Sequence, residues 1–320
     1  MKNTLIILAT LIVLFSGPFA LAQSNDAEQK AILVTGASTG IGRNIAETLA
    51  AEGHFVYAGA RKQSDIDALS AIDNVQGIRL DVTVQEEIDA AVETITKEGR
   101  GLYGLINNAG VSVSGPLIEI EESEMQFQMD VNLFGPYRVT KAFAPLIIES
   151  KGRITTTGSV SGIIAGVLYG PYSMSKHAVE AFTDSLAAEM SKFDVQVSII
   201  EPGNYNSAIV ESKVRRMQER GRTPDGSLYK EELEALLRAP TDRSVYKEPD
   251  DVSAAMMHFL FDEHPKRRYL VVPSEQTAAA TIRTMIDELV QLNERHEYSY
   301  DRAELIRLLD ERLDTPENQQ

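Results

Sequence analysis

Short apolar runs alternate with longer stretches of helical periodicity along most of the chain. Residues 31–35 (Ala-Ile-Leu-Val-Thr), 55–59, 75–80, 102–106, 153–157 and 195–200 have strand length and are largely apolar or β-branched. Between them, 41–51, 84–98, 123–150 and 171–192 carry apolar residues at helical spacing, for instance Ile88, Val92 and Ile95. A strand that is apolar throughout needs cover on both faces, and the intervening helices supply it. The pattern predicts an α/β doubly wound parallel sheet with helices on both faces, of about seven strands once 269–272 is added.

Past Gly203 the character changes. Residues 205–246 are strongly charged and hold two amphipathic helical candidates, one carrying Ile209, Val210, Val214 and Met217, the other Leu228, Leu233, Leu236 and Leu237. This segment reads as a lid over a substrate site, and its apolar residues suggest a lipophilic substrate. Packing against neighbouring helices or a second subunit would explain them equally well. Another helix runs to Phe261, and two more (277–292 and 301–313) form a helical C-terminal extension over 277–320. The organisation expected is one domain over 31–276 with its lid and this extension.

The N-terminus stands apart. Lys2 precedes an apolar run from Leu5 to Phe15, followed by Gly17-Pro18 and by Ala20-Leu21-Ala22. A basic start, a short apolar run and a small-x-small triplet describe a signal peptide over 1–22, with 23–30 as a polar linker. A retained membrane anchor is the rival reading, because the run is borderline for spanning a bilayer. Lys2 before it and Asp26 and Glu28 after it place the remainder outside the cytoplasm in either case, so an exported protein is expected, periplasmic, secreted or lumenal. Membrane contact is expected only if this segment is kept.

Composition narrows the chemistry. The chain is 43% hydrophobic and 24% charged, and its formal net charge of −16 disfavours nucleic acid and anionic lipid as partners. It has no cysteine, which excludes disulfides, thiolate metal sites and cysteine nucleophiles. His54, His177, His258, His264 and His296 show no metal-ligand spacing, so no metal is expected.

Between the first strand and first helix stands Thr35-Gly36-Ala37-Ser38-Thr39-Gly40-Ile41-Gly42. A pyrophosphate binds against backbone N–H groups at a helix N-terminus, where the helix dipole favours an anion. Glycines give the turn its conformation and leave room for the ligand to approach. Gly36, Ser38, Gly40, Ile41 and Gly42 are therefore candidate cofactor contacts. Such folds often carry a carboxylate at the end of the second strand to hold an adenosine ribose. Here Ala58-Gly59-Ala60 leads straight into Arg61 and Lys62. Arg61 can meet a 2′-phosphate, which favours NADP(H) over NAD(H).

The reacting centre is predicted at Tyr172-Ser173-Met174-Ser175-Lys176. Residues four apart share a helix face, so the phenol and the ammonium can enter one site. A nearby ammonium lowers a phenol's pKa toward the range useful for acid/base work. Ser159, just after the fifth strand, stands where open α/β sheets bind ligands and can donate to a substrate oxygen. Asn132, inside an apolar helical face, needs a polar partner.

Taken in order, TGASTGIG at 35–42, Asp81-Val82, the NNAG at 107–110, Asn132, Ser159, YSMSK at 172–176 and Pro202-Gly203 resemble the short-chain dehydrogenase/reductase family. The segment around 153–159, the Glu201-Pro202-Gly203 turn and the long extension are similar to its hydroxysteroid and retinol dehydrogenase-like members. The resemblance implies a Rossmann-type fold and an oxidoreductase that moves a hydride between a nicotinamide cofactor and a carbonyl or alcohol. In that family pattern Ser159 orients the carbonyl and Tyr172 exchanges the proton. Lys176 holds the cofactor ribose, and Asn132 anchors a water in a proton relay. Asp81 and Val82 would flank the adenine, Asn108, Ala109 and Gly110 would line the cofactor, and Pro202 and Gly203 would lie near the nicotinamide. The family often has a threonine shortly after Pro-Gly, and Ser207 is the nearest counterpart here. The resemblance also implies homo-oligomers formed through helical faces. A dinucleotide-binding protein without chemistry, or a 3-oxoacyl-type reductase, are the other readings. The presence of Ser159, Tyr172 and Lys176 together favours an enzyme.

Overall fold

The computed structural model describes residues 29–314. The expected signal peptide or anchor at 1–22 lies outside the described residues, as do most of the linker and 315–320. No helix among the described residues is long and apolar enough to cross a membrane.

The first strand, β1 (Ala31–Val34), is buried at every position, as its unbroken apolar run requires. It sits inside a seven-stranded sheet with β2 (Phe55–Ala60), β3 (Val75–Arg79), β4 (Gly104–Asn107), β5 (Arg153–Thr157), β6 (Gln196–Pro202) and β7 (Arg268–Val271), in the order β3-β2-β1-β4-β5-β6-β7. Every pairing is parallel, from Leu33 opposite Tyr57 on one side of β1 to Leu33 opposite Leu105 on the other.

Successive side chains of β1 point to opposite faces, and two cores result. Ile32 and Val34 join Ile45, Leu49, Met256 and Phe259 on one face, which is covered by α1 (Gly40–Ala51), α2 (Gln63–Ser70) and α9 (Asp250–Phe261). Ala31 and Leu33 join Ile88, Ile95, Val139, Phe143 and Ile147 on the other. That face is covered by α3 (Gln85–Glu98), α5 (Gly135–Glu149) and α6 (Gly170–Met190). The predicted doubly wound α/β sheet is thus the observed one. The helix α2 was not expected: with only Ile66 and Leu69 buried in eight residues, its periodicity is too brief to read.

Two departures from the expected elements bear on the site. The single helix expected over 123–150 is α4 (Glu122–Met129) and α5 joined by a π-helical turn at Asp130–Phe134, which contains Asn132. The segment 205–246 folds as α7 (Ile209–Glu219) and α8 (Lys230–Arg238), but its apolar residues are largely consumed locally. Met217 and Leu233 form a small cluster with Leu168, with Tyr229, Leu236 and Leu237 packed against it. The chain ends in α10 (Glu275–Leu292) and α11 (Arg302–Leu313).

Phe143 is fully buried between α5 and the sheet. Phe143→Ala is expected to lower stability by about 3–5 kcal/mol, through lost transfer energy and the cavity left behind. A urea-unfolding midpoint close to that of the wild type would show that this face does not carry the core.

Candidate active site

The strand order reverses direction at the β1–β4 boundary, and such a switch point opens a crevice beyond the strand ends. Two turns meet there. Thr35 at the end of β1 accepts, through Oγ1, the N–H groups of Asn108 and Ala109, each at 3.0 Å. The Asn108 amide donates back to the carbonyls of Thr35 (3.1 Å) and Gly36 (3.2 Å). Contact between the backbones is close: a Cβ on Gly36, whose φ is +65°, would stand 2.7 Å from the Ala109 Cα. A Cβ on Gly42 would stand 2.4 Å from the Gly36 carbonyl oxygen.

Helix α1 begins at Gly40 with Thr39 at its N-cap, yet Thr39 makes no capping hydrogen bond and the first turn has no acidic residue. Its leading N–H groups and positive dipole end are therefore available to an anion. Gly40, with φ of +57°, closes against Ser207, the counterpart of the missing threonine: an added Cβ would be 3.0 Å from the Ser207 Cβ. The turn thus has the uncapped helix start and the Cβ-free cradle that a dinucleotide pyrophosphate needs.

Beyond the ends of β2 and β3, Arg61 follows β2 and its guanidinium stands 3.9 Å from the Asp81 carboxylate. Asp81 is held by Thr83, which donates from both its N–H (3.0 Å) and its hydroxyl (2.7 Å). Val82 is buried and would touch any Cβ on Gly135. Pro202 ends β6, and Gly203 donates to the Val271 carbonyl at 2.8 Å, fixing the chain as it leaves the sheet.

Ser159 comes from the end of β5, and Tyr172 and Lys176 come from α6. Ser159 follows β5 and caps a short 3-10 turn by accepting the Ser161 N–H at 3.1 Å. Its hydroxyl hydrogen bonds with Tyr172 on the first turn of α6. Burial raises the Tyr172 phenol above its ordinary pKa, while the Ser159 hydrogen bond acts in the opposite direction. One turn on, the buried Lys176 donates from Nζ to the Thr157 carbonyl at 2.7 Å and lies 5.7 Å from the centre of the Tyr172 ring. Burial lowers Lys176 to about 8, against the raising influence of Glu180. The expected lowering of the phenol by this ammonium is not what the geometry gives: burial of the phenol dominates, and Ser159 supplies the downward influence.

Asn132 enters the site through its neighbours. Its amide donates to the Val111 carbonyl (3.0 Å) and to the Ser175 hydroxyl (3.1 Å), and accepts the Val111 N–H at 2.8 Å. Gln128, one helical turn earlier and fully buried, repeats the arrangement: it accepts the Val113 N–H at 2.6 Å and donates to Val111 O and Ser175 Oγ. Ser175 in turn donates to the Tyr172 carbonyl at 2.7 Å. Two buried amides thus tie α6 to the chain after β4. Gln128 and Thr35 were missed by the sequence reading. The available signal was a second amide four residues before Asn132, on the same helix face.

The segment 205–246 is held electrostatically. Arg216 of α7 makes a two-pronged contact with the buried Glu124 of α4, at 2.8 and 3.0 Å, and Arg222 donates to the Ser114 carbonyl at 2.8 Å. Beneath the site, Glu201 at the end of β6 is buried against Glu180 and faces Arg268. Burial, reinforced by the Glu180 charge, pushes Glu201 up to about 8.

Residues 30–218 match a family model described as short chain dehydrogenase. The mitochondrial D-beta-hydroxybutyrate dehydrogenase of Bos taurus is 38% identical over 215 residues, covering 62% of this chain and 62% of that protein. Retinol dehydrogenase 16 of Mus musculus is 33% identical over 255 residues, covering 76% of this chain and 80% of that protein. The match to the bovine protein thus spans less than two thirds of its length. Among solved structures, a metagenomic short-chain oxidoreductase in complex with NADP aligns with a TM-score of 0.59 at 26% identity, over 77% of this chain and 97% of that one.

The buried acid pair makes stability depend on pH. Because the folded state holds the Glu201 proton to about 8 and the unfolded carboxyl releases it near 4.5, stability falls as pH rises through that window. Glu201→Gln keeps a neutral partner for Glu180 and is expected to flatten the decline in melting temperature between pH 5 and 8.5. An unchanged slope would mean that Glu201 is ionised in the folded protein.

Proposed function

The chain belongs to the short-chain dehydrogenase family, and we propose that it is an NADP(H)-dependent oxidoreductase interconverting a carbonyl and an alcohol on a substrate with an apolar body. The observation that carries this reading is the meeting of the Tyr172 hydroxyl with Ser159, beside a buried Lys176, where the glycine turn opens. Gly36, Ser38, Gly40, Ile41 and Gly42 would hold the pyrophosphate on the start of α1. Asp81 and Val82 would flank the adenine, Asn108, Ala109 and Gly110 would form the floor, and Pro202 and Gly203 would border the nicotinamide. When bound, the nicotinamide supplies or accepts the hydride.

The protein's own residues manage the proton. Ser159 has its Oγ lone pair occupied by the Ser161 N–H, which leaves its hydroxyl hydrogen to donate to an oxygen in the site. In the reducing direction that oxygen is the substrate carbonyl, and Tyr172 gives its phenolic proton to the same atom as charge grows there. A phenol raised by burial favours the proton-bearing form, suited to an acid. In the oxidising direction the phenolate must form, and Ser159 and Lys176 are the groups that favour it. Asn132 and Gln128 act through Ser175, fixing the helix turn that carries Tyr172. Asn132 may not be replaced by an apolar residue without stranding Val111 and Ser175. Its side chain is a positioning group, so a relay water would have to meet its backbone.

For the cofactor, the Ala58–Ala60 strand end offers no carboxylate to a ribose, and the Arg61 side chain, 65% exposed and only loosely paired with Asp81 at 3.9 Å, could turn toward a 2′-phosphate. For the substrate, the turns facing the start of α6 expose Leu117, Ile118 and Val167. They support an apolar body better than Leu233, Leu236 and Leu237, which pack with Met217 and Leu168.

Two measurements test this. Tyr172→Phe is expected to lower turnover by about 10²–10⁴-fold in a screen of ketones and aldehydes with NADPH, leaving NADPH binding intact; wild-type turnover by the variant would remove Tyr172 from the chemistry. Arg61→Ala is expected to weaken NADPH binding about tenfold in a fluorescence titration, with NADH little changed. Equal loss for both cofactors, or none for either, would defeat the assignment of NADP(H).

A further inference from the structure

The turn that carries Ser159 is bracketed by two glycines, and neither Gly158 nor Gly162 takes up the left-handed conformation that favours glycine. What excludes a side chain at each is space. A Cβ on Gly162 would stand 2.8 Å from the Oε1 of Glu180. One on Gly158 would stand 3.3 Å from the same oxygen and 2.9 Å from the Ile199 side chain. The Glu180 carboxyl therefore lies directly against the turn, and the two missing side chains admit it. The turn itself closes between Ser159 and Gly162: the Gly162 N–H donates to the Ser159 carbonyl at 2.7 Å, and the Ser161 N–H donates to the Ser159 hydroxyl at 3.1 Å. A displacement of Gly162 is thus passed to Ser159.

Glu180 stands on α6 one turn after Lys176 and two after Tyr172, on the helix face that bears both. Its side chain is only 14% exposed and is held from the far side, where Arg268 of β7 pairs with its Oε2. The same Arg268 nitrogen lies 3.8 Å from the Glu201 carboxyl at the end of β6, and the other terminal nitrogen meets Asp184 at 2.6 Å. Asp184 is also paired with Arg267 at 3.1 Å. The Oε1 atoms of Glu180 and Glu201 are both buried, with no donor from the rest of the protein, and a proton retained by Glu201 is the one that can join them. An apolar residue of similar volume could fill this seat without leaving an acceptor unmet. The carboxyl gains its use from what stands above it, the turn of Ser159.

We propose that Glu180 is a positioning residue: seated beneath Gly158 and Gly162 and tied through Arg268 to β7, it holds the turn that presents the Ser159 hydroxyl to Tyr172. This rests on the reading of Ser159 and Tyr172 as the reacting pair. Glu180 acts through the turn, and its shape matters more than its charge, because the contact with the glycines is one of close packing.

The test follows the Cζ carbon of Tyr172 by 13C NMR of the full protein, with the signal assigned by its absence in Tyr172→Phe. This carbon bears the phenolic oxygen and reports hydrogen bonding there, and Ser159→Ala gives its position when the partner is lost. Glu180→Ala empties the seat and is expected to move the signal toward that of Ser159→Ala. Glu180→Gln has nearly the same shape and is expected to leave it near the wild-type position. Gly162→Ala intrudes on the seat from the turn and is expected to displace the signal too, but less when combined with Glu180→Ala, where the added methyl has room. In a screen of ketones with NADPH, kcat is expected to fall about 10–100-fold in Glu180→Ala at unchanged KM for NADPH, and to recover in Glu180→Gln. The proposal is overturned if Glu180→Ala or Gly162→Ala, once folded, keeps the wild-type signal. It is also overturned if Glu180→Gln is displaced as far as Glu180→Ala, which would make the residue a buried charge and not a seat. A wild type without turnover would sink the oxidoreductase reading, while the Tyr172 signal would still decide the role of Glu180.

Discussion

The close approach of two backbone turns, one after β1 and one after β4, is the constraint on which the site depends. Gly36 lies so near Ala109 that any side chain at 36 would drive the turns apart, and Thr35 and Asn108 lock them with reciprocal hydrogen bonds. This contact sets the direction in which α1 leaves the sheet, and with it the direction of the uncapped N–H groups that can meet a phosphate. Thr157 at the end of β5 donates to the Asn108 side chain at 3.3 Å, and its own carbonyl receives Lys176. The glycine turn and the start of α6 are therefore connected through Asn108 and Thr157.

A buried polar network carries that order to α6. Gln128 and Asn132 fill their donor and acceptor capacity on Val111, Val113 and Ser175, and Ser175 reaches the Tyr172 backbone. Such a network is stable only when complete, because each stranded amide in a dry interior is costly. The π-helical turn at Asp130–Phe134 falls on Asn132, and π turns interrupt helices where a side chain or backbone group is drawn to a particular place. Helix continuity is exchanged here for the aim of one amide.

Electrostatics divides the molecule. Most of its charge is solvated surface, consistent with a net charge of −16. The buried charges are few: Glu124 is neutralised by two arginines, burial beside Glu180 favours the protonated form of Glu201, and burial lowers Lys176. The Arg216–Glu124 pair closes on itself, whereas Lys176 spends one donor on the Thr157 carbonyl and has no carboxylate in contact.

The sequence alone determined the architecture, because unbroken apolar strands such as Ala-Ile-Leu-Val at 31–34 can only be buried on both faces, and the glycine turn and the Tyr172–Lys176 spacing have local physical meanings. It brought Ser159 to the end of β5 and marked Asn132 as an amide needing a partner. The tertiary structure decided what those partners were. Gln128 looks like any polar residue of an acidic helix until Val113 and Ser175, far away in the chain, close on it. The lid leucines carry an amphipathic pattern that cannot say whether they face a substrate or one another, and the packing of Met217 and Leu233 on Leu168 settled that. The pKa of Tyr172 could not be read from its distance to a lysine in sequence, because burial, a property of the whole fold, outweighs it. Local spacing fixes which side chains share a face, and only long-range packing fixes how much water and how many charges that face is left with.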